Sequence, residues 1–170
     1  MIALVPVRDG LPAAGAAEAV AEARGRVLLI GSAVASAVEE LPAEATEIRL
    51  AEVGDYAPAA WSAALALALA EEDTIILPGS ADGRDLGPAL AVRMGRPFAA
   101  SVLEVTAERW VAPLADDRAQ AVHALTEPIV ATIEPGTRTF TAGPPADATT
   151  TELALDVPDA PDLEVVEILP

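Results

Sequence analysis

The chain has 170 residues, the size of one domain, and is 52% hydrophobic but only 3% aromatic. A core of that kind is built from Ala, Val, Leu and Ile, which suits helices packed closely on a parallel sheet. The absence of cysteine excludes disulfides, thiolate metal sites and cysteine nucleophiles. A net charge of −17 repels phosphate backbones and anionic membranes, so nucleic acid is not expected as a partner.

Residues 2–7 form a short apolar run ended by the turn signal Arg8-Asp9-Gly10. Residues 16–23 have helix-forming composition, with Gly25 as a stop. Residues 26–30 predict a second buried strand, closed by Gly31-Ser32, and residues 33–41 a short helix stopped by Pro42. Residues 47–51 alternate apolar and charged side chains, as an edge or half-exposed strand does. Residues 57–70 read as an Ala/Leu helix with Pro58 in its first turn, where proline is tolerated. This run is also the longest apolar one and too short to span a bilayer. Residues 73–77 predict the next strand and 82–94 the next helix.

Strand and helix thus alternate four times. The expected fold is α/β: a three-layer, mostly parallel open sheet with helices on both faces and right-handed crossovers. After Pro97 come short β-prone runs at 99–105, 108–114, 119–127 and 129–134, expected as an antiparallel β excursion appended to the sheet. Residues 137–150 read as a loop, and 151–157 and 163–169 as two further strands. The whole chain, 1–170, is read as a single domain. Its N-terminus has no basic region or cleavage site, so a cytoplasmic address is expected.

Small residues, a hydroxyl, carboxylates and a guanidinium converge in the turn between residues 79 and 85: Gly79, Ser80, Asp82, Gly83, Arg84 and Asp85. It follows a strand and opens a helix, where open α/β sheets present loops to ligands. One reading is a nucleotide or phosphate cradle at a helix N-terminus. Its spacing matches neither G-x-G-x-x-G nor G-x-x-x-x-G-K-[ST], and Asp82 and Asp85 would repel phosphate. The other reading is a tight turn with a carboxylate cap, and the residues favour it.

His123, the sole histidine, lies in a β-prone run without a metal or triad pattern and is given no role. The pairs Glu39-Glu40, Glu71-Glu72 and Asp116-Asp117 diverge as neighbours do and read as solvated caps. Trp61 shares a helical face with Leu65 and Leu69 and belongs to the core. Trp110, in an expected hairpin beside Arg109, is the better interface candidate. No catalytic residue and no metal site is identified.

The run Gly83-Arg84-Asp85-Leu86, followed by Pro88, Leu90-Ala91 and Arg93, resembles the "GRDLAPRLAARLG" run of electron transfer flavoprotein alpha subunits. It departs at Gly87 and Ala89, where that family commonly has Ala or Leu, and Arg. The excursion after Pro97 and the closing residues 164–169 are compatible with the same family. The resemblance implies an N-terminal α/β domain that packs against a beta subunit and supports a separate domain holding FAD. It further implies electron transfer from acyl-CoA or other dehydrogenases through the heterodimer. No "SGGRG" flavin motif is present, so no FAD-binding residue carries over and the C-terminal FAD domain is expected to be absent. The alternative is a stand-alone adenine-nucleotide-binding module using the 79–85 turn.

Overall fold

A computed structural model describes residues 1–116 and 118–159. Strand β1 (Ile2–Arg8) is followed by a two-residue strand β2 (Leu11–Pro12), helix α1 (Ala16–Glu22) and β3 (Arg26–Gly31). A 3-10 turn (Ser36–Glu40), β4 (Glu47–Glu52), α2 (Pro58–Ala68), β5 (Thr74–Pro78) and α3 (Ala81–Met94) come next. The rest is β: β6 (Phe98–Val102), β7 (Glu104–Val105), β8 (Arg109–Leu114), β9 (Ala119–Ala124), β10 (Ile129–Ile133) and β11 (Thr149–Glu152).

The main sheet runs β11-β4-β3-β1-β5-β10-β6, with every pair along that path parallel, and β2 pairs off it with β1. Its central strands are nearly continuous in Val, Ile and Leu because both faces are covered. One face packs under α1 and the 3-10 turn, around Val5, Val20, Leu29 and Ile76. The other packs under α2 and α3, around Leu4, Trp61, Leu65 and Leu90. The α/β architecture with helices on both faces is therefore the one the alternating pattern predicts.

Several expectations are corrected. β4 is half-exposed, as its alternation predicts, but lies inside the sheet: β3 pairs on one side and β11 on the other, so β11 is the edge. The short helix expected over 33–41 is narrower, a 3-10 helix over Ser36–Glu40. Ala33 has a φ of 54°, and its N–H and that of Val34 are taken up by the Glu52 carboxylate at 2.9 and 3.0 Å. The strand expected at 151–157 is shifted to Thr149–Glu152, and Leu153, Leu155 and Val157 continue as irregular chain packed on the Trp61 side of the core. The runs 163–169 and Asp117 lie outside the described residues.

The excursion needs the sharpest correction. Only β7, β8 and β9 form an antiparallel sheet; β6 and β10 are parallel members of the main sheet. The departure is made at Ser101, whose φ is 52° and whose N–H is accepted by the buried Thr132 hydroxyl of β10 at 2.9 Å. The register between β6 and β10 shifts at this point. Such a bulge bends a strand and ends its pairing, and Leu103 then donates to Val111 in the new sheet at 2.7 Å.

Candidate functional site

Strand order reverses between β1 and β5, and in open parallel sheets the crevice beyond the strand C-termini at that point is where ligands bind. Here the crevice begins to open early. β1 pairs with β5 only at Ile2 and Ala3. Pro6, further along β1, has no N–H to give to a ladder, which suits a strand that parts from its neighbour. The gap does not stay open. Val7 O faces β3 and accepts from Ser32 at 3.2 Å, so Pro6 O faces the β5 side, where it accepts from Ala13 N at 2.9 Å. The β1–β2 hairpin thus folds its own main chain into the space between the diverging strands, and Gly15 lies against Pro78 and Gly79.

Side chains close the rest. The Arg8 guanidinium grips Asp82 through two hydrogen bonds, Nε to Oδ2 at 2.9 Å and Nη2 to Oδ1 at 2.5 Å. It also lies over the Tyr56 ring, 4.2 Å from the centroid. Tyr56 donates its hydroxyl to Asp82 O at 2.9 Å and meets Trp61 edge-on at 5.2 Å. The paired carboxylate raises the Arg8 pKa above its ordinary value. The end of β1, the loop after β4 and the first turn of α3 are therefore tied to one another across the switch point. The loop after β3 joins them, because the Ser32 hydroxyl accepts from Asp9 N at 2.9 Å.

The predicted turn residues are brought together here, but with different tasks. The helix cap is not a carboxylate: Ser80 is the N-cap, and its Oγ accepts from Gly83 N at 3.0 Å. Asp82 turns to Arg8, and Asp85 stands exposed. Arg84 is exposed and its Nε donates to Ser80 O at 3.3 Å. Gly79 and Gly83 serve the chain's own packing. A Cβ at Gly79 would lie 2.6 Å from Ile133 O, and one at Gly83 only 1.9 Å from Pro78 O. A phosphate cradle needs free amides and a free cation. This turn has the hydroxyl, the Gly83 amide and Arg8 already engaged, and a carboxylate at the helix entrance. Among the described residues, Arg84 is the cation of the turn that no carboxylate engages. Cavities of about 310 to 570 Å³ are lined by residues of other regions.

At the opposite, N-terminal edge of the sheet, Glu72 corrects the reading of the acidic pairs as solvated caps. Its carboxylate is nearly buried and takes two hydrogen bonds from Arg26, at 2.9 and 2.7 Å, with the Met1 ammonium at 3.4 Å. Arg26 also reaches Glu47 at 3.0 Å, and Arg49 completes the network through Glu47 at 2.7 Å. Arg26 holds the carboxyls of Glu72 and Glu47 below the ordinary glutamate value.

Trp61 is wholly buried, as its helical face predicts, and its Nε1 has no hydrogen-bond partner among the described residues. Trp110 is half-buried on β8 and stacks on the exposed His123 of β9, with ring centroids 3.9 Å apart and planes at 12°. The outer strand of that small sheet, β9, reads Ala-Gln-Ala-Val-His-Ala, without charge or proline, and is bonded on one side to β8. Among the described residues no group of three or more His, Cys, Asp or Glu is placed to hold a metal. None of their helices is long and apolar enough to cross a membrane.

An open parallel sheet wound on both faces, with the β1–β2 hairpin folded against its switch point, defines a doubly wound α/β domain. The electron transfer flavoprotein domain matches residues 10–160, nearly the whole chain, and the chain belongs to that family. None of the curated proteins matches it.

Proposed function

We propose that this chain is the N-terminal scaffold domain of an electron transfer flavoprotein alpha subunit. It packs on a beta subunit in the cytoplasm and supports electron transfer from acyl-CoA or other dehydrogenases, with FAD held elsewhere and no catalytic residue of its own. The observation that carries this reading is the plugged switch point. The β1–β2 hairpin and the Arg8–Asp82 pair occupy the space that a nucleotide-binding module would leave for its ligand. The alpha assignment draws on the run from Gly83 to Arg93, which makes up most of α3.

The edge of β9 supports the docking role. A strand edge without charge or proline is a template for pairing with another chain. β9 has those properties, and Val122 on it is an exposed apolar side chain. Co-expression with a beta-type subunit is the test. Co-purification in equal amounts is expected, and failure of the two chains to associate would overturn the proposal. Calorimetry with AMP separates the alternative of an adenine-nucleotide module: no heat is expected from the scaffold, whereas saturable heat would favour the alternative.

A further inference from the structure

Glu22, the last residue of α1, is a buried charge that neither the fold's core nor the switch point uses, at 8% exposure. Its two oxygens look in different directions. Oε1 accepts the main-chain N–H of Val105 in β7, and Oε2 accepts Nε of Arg138 in the loop after β10. One turn earlier, Glu18 accepts from Gly136 N at 3.3 Å. One short helix therefore holds both the point where the small antiparallel sheet leaves the body and the segment that follows its return.

The rest of that sheet is unevenly seated. Val105, Trp110 and Leu125 pack on the α1-side core. Between the small sheet and the 134–138 segment lie two half-open clefts, of about 310 and 380 Å³. Leu103, Gln120, Glu134 and Thr137 line the first, and Val111, Val122 and Arg138 are among the walls of the second. Where apolar packing is thin, a polar contact decides the position. A carboxylate bonded at both oxygens, with a cation on one, makes strong and directional contacts.

We infer that Glu22 and Arg138 form a clasp that sets the seating of the β7–β9 sheet on the body, and so the presentation of the β9 edge. The second half of this rests on the docking role proposed above; the first half does not. Two readouts keep them apart. Amide hydrogen exchange of the isolated chain reads the clasp. In Glu22→Ala, exchange across residues 104–124 should quicken on the order of tenfold, with β1, β3 and β5 unchanged. Glu22→Gln keeps an acceptor for Val105 N–H and should restore part of that protection.

Arg138→Met reads the same contact from its more exposed side and serves if the Glu22 variants fold poorly. Unchanged exchange in 104–124 for Arg138→Met, or acceleration spread evenly over the whole chain, overturns the clasp. Affinity for a beta-type subunit is then measured on the same variants. A weaker complex in step with the exchange supports the inference. Faster exchange with unaltered affinity overturns the link to presentation while the clasp itself stands.

Discussion

Gly83 and Gly87 lie one turn apart on α3, yet their surroundings are chemically unlike. A Cβ on Gly83 meets a backbone carbonyl, Pro78 O, at 1.9 Å, and the strand that carries it cannot move aside. A Cβ on Gly87 meets the rim of the Phe98 ring at 2.8 Å, and Phe98 is half-buried. Gly83→Ala is therefore expected to cost about 3 kcal/mol or more, while Gly87→Ala stays within about 1 kcal/mol of the parent because the gain in helix propensity offsets a small ring shift. Urea unfolding of both variants checks the contrast. Gly87, where the chain departs from the alpha-subunit run, lies against the aromatic ring of Phe98. Which residues gather in the 79–85 turn was legible in the sequence, because their types and the strand before them are local information. Their partners were not: Arg8 is 74 positions from Asp82, and no periodicity links the two. Ser80 outcompeted the carboxylates as cap because it stands one step before the helix, while Asp82 found a cation across the sheet.

At the scale of elements, strands and helices up to Met94 follow from apolar runs and their breakers, except the two-residue β2, which no apolar run announces. The sequence pattern failed after Pro97, where strands of both kinds look alike: β6 and β10 are as short as β8 and β9 but belong to the parallel sheet. What separates them is a bulge at Ser101 and one buried threonine hydroxyl, signals too small to read in advance. The same uncertainty displaced β11: Thr149 and Thr150 look like loop, yet the strand begins there and pairs with β4 from Thr149 to Glu152. The exposed β9 edge makes its own prediction. Val122→Lys places a charge on that edge, as natural edge strands do to prevent pairing. It should abolish capture of a beta-type subunit in a pull-down while leaving the thermal midpoint of the isolated chain within about 2 °C. Retained capture would move the docking surface elsewhere.

Across the whole molecule, the two edges of the parallel sheet divide the labour. The C-terminal edge is interlocked by Arg8, Asp82 and Tyr56, the N-terminal edge by the Arg26–Glu72–Glu47–Arg49 network. The second lock makes stability depend on pH. Because Arg26 lowers the Glu72 and Glu47 carboxyls below 4.5 in the folded chain, the unfolded chain binds those protons more readily. Their contribution is present in full above that value and is lost as the pH falls through the lowered folded values. Glu72→Gln should weaken the fold by about 2 kcal/mol at neutral pH. It should also flatten the loss of stability on acidification, as followed by circular dichroism between pH 6 and 3.

The two tryptophans divide along a different line, one sealed in the parallel core and one stacked on histidine in the antiparallel excursion. They give the molecule two optical reporters, with emission colours set by their surroundings. Trp61, wholly dry, should emit to the blue and change only when the body melts. Trp110 should emit to the red and respond when its small sheet shifts. With Trp61→Phe and Trp110→Phe each leaving one fluorophore, loosening of the excursion and collapse of the body become two separate colours in one cuvette.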